Sequence, residues 1–384
     1  MDFSLSEEQR QIQEATQRLL TDRYGPEARR KYARQPEGFS REMWAAYAEQ
    51  GLLGVPFAES LGGLGGGPLE VMLVMEAMGR ALALEPYLAT VVLGGGLLRR
   101  AGNEAQRALI ARLTSGVLTL AVATSEPEAS GDPCDVGTRA HRVNDSWVLD
   151  GAKSLILHGG SADRIIVPAR VSGQRTDRHG IALFILDPKA SGLALREYPT
   201  QDGLRAADLT LAGVRIDDAG VLGAAGEGGE ALARVVDEAI AALCAEAVGA
   251  MSVLQEMTLE YLKTRQQFGV PIGRFQALQH RAVEMYVVLE QARSMALYAA
   301  LSASDEQAGV RRRAVCAAKA HIGRAARHIG QEAIQLHGAL GMTLDYSAGE
   351  YFRRLTMIDL TLGTHHDHVS ELARAGALSE GADQ

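Results

Sequence analysis

The hydrophobic pattern of this 384-residue chain changes its period twice. Apolar residues recur at helical spacing up to about residue 116, short apolar or alternating runs bounded by turn residues follow to about residue 224, and long helical patterns then return. A helical period does not suit a strand, and a period of two does not suit a helix. We therefore predict an α+β fold with an N-terminal helical domain (residues 1–116), a middle β-barrel-like domain (117–225) and a C-terminal four-helix bundle (226–384).

The individual elements follow from the same patterns. Short helices are predicted over residues 40–52, 69–82, 84–100 and 105–114, and Ser6 with Gln9 forms a capping signature near the N-terminus. Strands are predicted over residues 118–124, 146–149, 164–167, 181–186 and 209–216. No helices alternate with these strands, which disfavours a doubly wound sheet. Long helices over residues 231–265, 275–302 and 307–338 are typical of an antiparallel bundle.

Charge and cysteine content argue against several classes of function. Acidic residues outnumber basic ones, 47 against 39, so no net positive field attracts a nucleic-acid backbone. The three cysteines lack disulfide or zinc spacing, which indicates a reducing compartment. The polar N-terminus does not resemble a signal peptide, and the longest apolar run, residues 87–98, is too short to cross a bilayer. We predict a cytoplasmic protein with no membrane insertion and no nucleic-acid partner.

Common site signatures do not account for this chain. The glycine cluster at residues 62–67 lacks the spacing of a phosphate-binding loop, and we interpret it as a connection between helices that permits close backbone approach. The histidines of residues 365–368 have no further ligand cluster nearby in sequence, which disfavours a metal site. No nucleophile motif supports a hydrolase.

The most informative stretch covers residues 261–280. Arg265 ends a long helical pattern, a turn with glycine and proline follows, and an aromatic residue and Gln276 begin the next helix. A guanidinium and amide donors at a corner between two helices can bind a pyrophosphate. A plain turn between helices is the alternative interpretation.

Two further stretches carry weaker signals. Near residue 338 a helix that contains Gln335 ends in glycines, which would let a ligand approach the backbone closely. After the first predicted strand, residues 125–132 form a loop whose exposed amides could hold the edge of a flavin. Taken alone, the first is also a glycine-terminated helix without a ligand, and the second is also a simple turn.

In this order, and inside a helix–β–helix chain, the three stretches resemble the acyl-CoA dehydrogenase family over residues 2–373. Arg265, Phe268, Gly269 and Gln276 are similar to the family's R-x-x-F-G…Q signature, and residues 335–339 are similar to its Q-x-x-G-G stretch, with Ala339 in place of the second glycine. Within the family, residues 198–205 and 235–249 resemble the small subunit of pimeloyl-CoA dehydrogenase, a heteromeric branch that acts on acyl groups with a distal carboxylate.

The resemblance implies an FAD cofactor, an acyl-CoA substrate and α,β-dehydrogenation, in which a carboxylate takes the α-proton and the β-hydride passes to the flavin. It also implies electron-transfer flavoprotein or a similar acceptor. Because FAD lies between subunits in this family, it implies a homotetramer or a complex with a second acyl-CoA-dehydrogenase-like subunit. The residues that it assigns to the cofactor are Arg265, Phe268, Gln276, Gln335, Gly338, Thr364 and Ser125.

Both family positions for the catalytic base lack a carboxylate in this chain. The family's Tyr-Glu-Gly-Thr stretch corresponds to residues 361–364, which puts Leu362 at the position of the base. The alternative position, early in the long helix, carries Ala239, followed by Ile240 where the family has arginine. Neither side chain can accept a proton.

The flavin side of the β domain also departs from the family pattern. The family's Thr-Glu-Pro-Gly-Ala-Gly-Ser-Asp loop reads SEPEASGD over residues 125–132, and its Trp-Ile-Thr stretch reads Leu155-Ile-Leu157. The loss of the threonine hydroxyl removes a hydrogen bond expected near the flavin. We therefore expect a weakened ring-holding half and an intact pyrophosphate-holding half.

Two carboxylates are candidates for a relocated base. Glu246 lies two helical turns beyond Ala239 on the same face, and Asp359 lies three residues before Leu362. The alternative for Glu246 is a buried carboxylate paired with an arginine. The alternative for Asp359 is a salt bridge with one of the arginines at positions 353 and 354.

Three functions follow from these residues. In the first, which the resemblance implies, we expect the chain to be an FAD-dependent acyl-CoA dehydrogenase that acts on a carboxylated or bulky acyl group as one subunit of a hetero-oligomer. Alternatively, it is a non-catalytic partner that completes the FAD site of a catalytic chain. The third possibility is another flavin reaction on the same scaffold, such as oxygenation, which needs no α-proton base.

Overall fold

A computed structural model describes residues 5–129, 131–343 and 346–376. The α-helices of this part are α1 (Glu7–Arg23), α2 (Pro26–Ala33), α3 (Arg41–Glu49), α4 (Pro68–Ala81), α5 (Gly96–Ala101), α6 (Glu104–Arg107), α7 (Leu109–Thr114), α8 (Gly228–Thr264), α9 (Gln276–Ser302), α10 (Ala308–His337), α11 (Ala348–Leu360) and α12 (His365–Arg374). The strands are β1 (Leu120–Val122), β2 (Arg139–Val143), β3 (Ser146–Leu157), β4 (Arg164–Arg170), β5 (Ile181–Leu186), β6 (Leu193–Pro199), β7 (Arg205–Asp217), β8 (Val221–Leu222), β9 (Gln266–Gln267) and β10 (Val270–Pro271). The predicted order of helices, strands and helices is confirmed.

The chain forms two compact units. Unit 1 contains the described residues of 1–29, 68–83 and 240–384, and unit 2 contains residues 30–67 and 84–239. No helix in the described part of the chain is both long enough and apolar enough to span a membrane.

Unit 2 is built around an eight-stranded mixed sheet in the order β6-β7-β3-β2-β4-β5-β8, with β1 parallel to β4. Its core contains Leu149, Ile165, Phe184 and Val214. Our sequence prediction missed β2 and β6, as well as the two-residue strands β8, β9 and β10. In β2 and β6 most residues are partly or fully exposed, so the apolar alternation that marks a half-buried strand is weak.

The helix predicted over residues 84–100 is wrong in its form and its start. Pro86 lies in a turn, and a π-helix (Leu88–Gly95) then leads directly into α5. The glycines here serve packing, because a Cβ at Gly94 would collide with Leu120 and one at Gly95 would collide with the Phe57 ring. Apolar periodicity cannot distinguish this tightly packed π-helix from an α-helix.

Unit 1 contains α9, α10 and the part of α8 that begins at residue 240. Helices α9 and α10 lie within a few residues of their predicted bounds, and the capping box predicted at Ser6 and Gln9 is present at the start of α1. Helices α4 and α8 approach each other at backbone distance, because a Cβ at Gly79 would collide with the carbonyl of Glu246 and one at Gly249 with the carbonyl of Glu76. Small residues at these two positions therefore set the spacing of the two helices.

Candidate functional site

The predicted corner after α8 is a two-residue hairpin. Strands β9 and β10 pair in antiparallel fashion, and the two residues between them, Phe268 and Gly269, have φ values of +54° and +79°. Two successive positive φ values are typical of the type I′ turn that joins such strands. The turn holds the Phe268 ring out in solvent with 91% of its surface exposed. Its ring contact is with Phe275, edge to face, with centroids 6.0 Å apart.

Three of the polar residues predicted to bind the cofactor have side chains without partners among the described residues. Arg265, Gln276 and Gln335 are exposed, and their side chains form no hydrogen bond or ion pair with any described residue. Polar groups that are used for packing are normally satisfied inside the protein. These three side chains are therefore available to an external ligand.

One ring contact brings the two C-terminal stretches to the same end of the helices. Tyr261, one turn before Arg265, packs on the His337 ring with centroids 4.7 Å apart. His337 is the last residue of α10, and Gly338 follows it with φ +60° and ψ −140°. The corner and the end of α10 that carries Gln335 thus lie side by side, and we call the exposed residues of these two stretches the corner surface.

The chemistry of the corner surface fits FAD. A guanidinium suits a diphosphate, carboxamides suit a nucleotide, and an exposed aromatic ring offers a stacking face. A group of this chemistry would satisfy the exposed donors that the protein itself leaves without partners. Thr364 differs from these residues, since its hydroxyl already exchanges hydrogen bonds with Asp367 as the cap of α12.

In unit 2, the loop predicted to hold the flavin edge is tied to β3. Ser125 forms an isolated bridge to Ser154, and the next residue, Glu126, accepts from the buried Lys153 at 2.7 Å. Glu126 also accepts from the backbone N–H groups of residues 137 and 138. Burial works to raise the pKa of Glu126, but Lys153 and the donor at Thr138 outweigh it and hold the pKa below its usual range. This buried ion pair anchors the start of the loop.

Leu155, which the resemblance places at the position of the family tryptophan, lies in a β-bulge. The pairing of β3 with β7 shifts between Lys153 and Ile156, and Leu155 has φ +52° with its side chain 56% exposed. Asp208 accepts from the Leu155 N–H at 3.3 Å and is itself held by Tyr198 at 2.7 Å. Bulges of this kind re-aim side chains, and here the bulge turns an apolar side chain outward.

Leu362, the residue that the resemblance places at the position of the family's base, lies in a tight turn after α11. Leu362 has φ +56°, and Gly363 follows at +95°. The turn is internally bonded, because Lys319 and His368 reach its carbonyl groups from α10 and α12. The backbone geometry is therefore well defined, and Leu362 places an apolar side chain there.

Glu246 is a buried partner of an arginine, which is the alternative that the sequence left open. Its two oxygens accept from Nε and Nη2 of Arg354 at 2.6 and 2.8 Å, and both side chains are almost fully buried. This bidentate pair joins α8 to α11. With both oxygens engaged, Glu246 has no carboxylate oxygen left without a partner.

The partner expected for Asp359 is wrong. Arg354 binds Glu246, and Asp359 instead accepts from the Nδ1 and the backbone N–H of His365, at 2.8 and 3.0 Å. The reason is the path of the chain, because the turn at 361–364 brings the start of α12 back against the last turn of α11. Asp359 thereby links the two sides of the turn.

Three of the positions that the sequence analysis singled out have a left-handed backbone conformation. Six described non-glycine residues have positive φ, and three of them are Leu155, Phe268 and Leu362. Such conformations cost free energy and persist where the surroundings enforce them. Each marks a place where the backbone aims one side chain in a fixed direction.

Sequence reasoning missed several buried charges near these positions. Lys319 falls on the apolar face of α10, where the helical period alone would have flagged a charged residue. Glu238, next to Ala239, binds both Arg99 and Arg100. No sequence signal identified Glu238, because Arg99 and Arg100 lie 139 and 138 residues away in sequence.

Unit 1 also contains a cavity of about 410 Å³ between α1, α4, α8 and α11. Its charged side chains include two ion pairs, Arg80 with Glu256 and Arg29 with Glu350. None of the cofactor-binding or base candidates lines this cavity.

Three family models match the chain. The N-terminal domain of acyl-CoA dehydrogenases matches residues 6–116, the middle domain matches 121–219, and the C-terminal domain matches 226–377. A similar protein is the 3-sulfinopropanoyl-CoA desulfinase of Paraburkholderia xenovorans (strain LB400), with 30% identity over 94% of each chain. Another is the probable acyl-CoA dehydrogenase YngJ of Bacillus subtilis (strain 168), with 28% identity over 95% of this chain and 96% of that one.

Solved structures share the fold over almost the whole chain. The steroid ACAD Tcur3481-Tcur3483 is 29% identical, covers 99% of this chain and 100% of its own, and has a TM-score of 0.88. The ChsE4-ChsE5 complex from Mycobacterium tuberculosis is 26% identical, covers 98% of this chain and 99% of its own, and has a TM-score of 0.87.

Proposed function

The chain belongs to the acyl-CoA dehydrogenase family, with FAD as cofactor, and on that premise we propose that it is one subunit of a hetero-oligomeric acyl-CoA dehydrogenase. In this assembly it contributes Arg265, Phe268, Gln276, Gln335 and Gly338 to the binding of FAD. A second acyl-CoA-dehydrogenase-like chain contributes the catalytic base.

The main support for this proposal is that the chain has residues suited to bind the cofactor but no carboxylate at the predicted base positions. The corner surface presents exposed donors that have no internal partners among the described residues. The two family base positions carry Leu362 and Ala239, and the candidate Glu246 is engaged by Arg354. The chain is thus equipped to bind the cofactor and lacks a free carboxylate at the positions where the α-proton would be removed.

When bound, FAD supplies the acceptor for the hydride that leaves the β-carbon of an acyl-CoA. The residues of this chain act by binding and orientation. Arg265 would hold the diphosphate, the amides of Gln276 and Gln335 would hold the nucleotide, and Phe268 would offer its ring as a stacking surface.

An apolar face of α9 supports assembly with other chains. Val283, Tyr286 and Val287 expose 59%, 53% and 48% of their surfaces, and Tyr298 continues the exposed apolar surface toward the end of the helix. Several large apolar side chains on one exposed helix face are typical of an interface. Two similar structures carry paired names, Tcur3481-Tcur3483 and the ChsE4-ChsE5 complex, which favours a second related chain as the occupant.

We further propose that the substrate carries a carboxylated or bulky acyl group and that electron-transfer flavoprotein or a similar acceptor takes the electrons. We also propose that the protein is cytoplasmic. The similarity to a protein named as a steroid ACAD fits a bulky acyl group. Turnover of a panel of acyl-CoAs, with electron-transfer flavoprotein as acceptor, tests the proposed acyl group and the proposed acceptor.

The proposal is tested by purifying the chain alone and together with acyl-CoA-dehydrogenase-like chains of its own organism that carry glutamate at the position of Leu362. We expect the chain alone to be inactive and the correct pair to be yellow and bleached by acyl-CoA. Arg265→Ala in this chain should remove flavin from the pair. A yellow homotetramer that is bleached by acyl-CoA on its own would contradict the proposal, and Glu246→Gln would then test Glu246 as its base.

A second candidate is a reaction on this scaffold that needs no α-proton base. It is favoured by Leu362 together with the 30% identity to a desulfinase. If the FAD-loaded chain, reduced with dithionite, consumed oxygen and gave a hydroxylated product, the oxygenase form of this candidate would be supported.

A further inference from the structure

Lys319 is a fully buried lysine at the centre of a ring of carbonyl groups. Its Nζ lies 2.6 Å from the oxygen of Ile358, 2.9 Å from that of Asp359, 3.0 Å from that of Thr361 and 3.1 Å from that of Gly363. An ammonium has three protons, so one of them is shared between two oxygens. The last carbonyls of a helix lack intrahelical partners, and here a single side chain binds two carbonyls at the end of α11 and two of the following turn.

His368 binds the one carbonyl of the turn that Lys319 does not reach. Its Nε2 lies 3.0 Å from the oxygen of Leu362, and its Nδ1 faces Cys316 Sγ at 3.3 Å. Burial, reinforced by Arg312 and Lys319, lowers the pKa of His368 to about 4. The ring is therefore neutral near pH 7, and we assign its proton to Nε2 because a carbonyl can only accept.

Every carbonyl of residues 361–363 thus accepts from a buried side chain. Leu362 nevertheless adopts φ +56°, a conformation that costs an ordinary residue about 1–2 kcal/mol. Glycine or asparagine would adopt it with less strain. The buried side chains of Lys319 and His368 therefore hold a strained turn, and its central residue, Leu362, is neither a glycine nor a polar residue.

We infer that Lys319 and His368 are positioning residues that lock the 361–363 turn, so that position 362 presents its side chain in one fixed direction. The lock itself does not depend on the proposed function. Its value to the reaction rests on that function, because it requires the turn to face the acyl-CoA. The same fixed backbone that orients Leu362 would orient a carboxylate at position 362 equally well.

Hydrogen exchange measures the lock directly. We expect Lys319→Met to accelerate exchange of the backbone amides of residues 358–364 about tenfold or more, the change produced by a loss of about 1.4 kcal/mol in local stability. Lys153→Met is the matched control, because it makes the same change at another buried lysine, in unit 2. It should leave this segment unchanged.

A second pair of variants keeps the test valid if Lys319→Met does not fold. His368→Gln retains a donor for Leu362 and should preserve the slow exchange, whereas His368→Leu removes the donor and should accelerate it. Equal protection in these two variants, or unchanged protection in Lys319→Met, would overturn the inference.

Gain of function tests the role of the turn at the site. In an FAD-loaded sample, Leu362→Glu should increase reduction of the flavin by acyl-CoA, and Lys319→Met in the same chain should abolish the gain. A gain that survives Lys319→Met contradicts the inference. If FAD never binds, or binds without any gain from Leu362→Glu, the proposed function is at fault, and the exchange measurements still decide whether the turn is locked.

Discussion

The corner surface and the Leu362 turn lie in the same structural unit but satisfy their polar groups in opposite ways. At the corner surface, Arg265 and Gln276 extend into solvent without internal partners among the described residues. At the turn, buried side chains hold each backbone carbonyl from 361 to 363, and the buried pair of Glu246 and Arg354 lies on the adjoining helices.

This difference separates exposed side chains that are available to a ligand from buried side chains that maintain the fold. Polar groups left without partners at a surface can bind something external at little cost to stability. Buried charges have already exchanged water for internal partners, and removing one partner leaves the other uncompensated. The comparison therefore predicts that variants of the two regions will have opposite effects on stability and on cofactor binding.

The largest effect on stability is expected at Glu246. Glu246→Ala leaves the Arg354 guanidinium buried without its carboxylate and should lower the free energy of unfolding by about 3–5 kcal/mol. The double variant Glu246→Leu/Arg354→Met removes both charges and should recover most of this loss. Urea denaturation measures both, and a loss below about 1 kcal/mol would show that the pair is not part of the stabilising interior.

A pH dependence is expected from His368. Burial lowers its pKa from 6.5 to about 4, so the unfolded chain binds more protons than the folded chain between these values. Stability is therefore complete above pH 6.5 and is lost as the pH falls toward 4, by at most about 3 kcal/mol. His368→Gln keeps a donor but does not titrate. The difference in thermal unfolding temperature between this variant and the parent chain should shrink as the pH falls. If the unfolding temperatures of the two proteins changed in parallel with pH, the assignment to His368 would be contradicted.

A substitution in the exposed hairpin between β9 and β10 should increase the free energy of unfolding, the opposite of the effect expected at Glu246. Phe268 has φ +54° and is almost fully exposed, so Phe268→Asn relieves strain and loses little more than one ring contact. We expect a gain of about 0.5–1 kcal/mol in the free energy of unfolding. FAD binding should weaken in the same variant. Reduced stability would mean that the ring serves the fold.

The smallest effect on stability is expected at Arg265. Arg265→Ala should change the free energy of unfolding by less than about 0.5 kcal/mol, because its side chain has no partner among the described residues to leave behind. FAD affinity, measured by flavin fluorescence, should fall at least about tenfold, since charge-assisted contacts contribute about 1.5–3 kcal/mol. Lys263→Ala, an exposed lysine two residues earlier, is the control and should leave the affinity unchanged.

Much of the fold could be predicted from sequence because its long elements carry strong periodicity. The bounds of α9 and α10 and the strand β5 follow from apolar spacing alone. The strands β2 and β6 were missed because few of their residues are buried. The π-helix was missed because a change in helical winding has no distinct apolar period.

For the candidate site, the sequence was informative where residues lie close together along the chain. Arg265 and Gln276 share one short motif, and the prediction that Leu362 occupies the base position depends on its neighbours in sequence. The partners of Glu246 and Asp359 were not predictable in this way. Which arginine reaches which carboxylate depends on how α11 and the following turn pass α8 and α12.

By itself, the sequence determined the order of helical and β segments and the resemblance to acyl-CoA dehydrogenases, and it led to the prediction that Leu362 and Ala239 stand where the family has a catalytic base. Only the tertiary structure decided that Glu246 is tied to Arg354 and that Lys319 and His368 hold the turn at Leu362. The physical reason is that periodicity and motifs report local preferences. The satisfaction of a buried charge depends on partners that the folded chain brings together from distant positions.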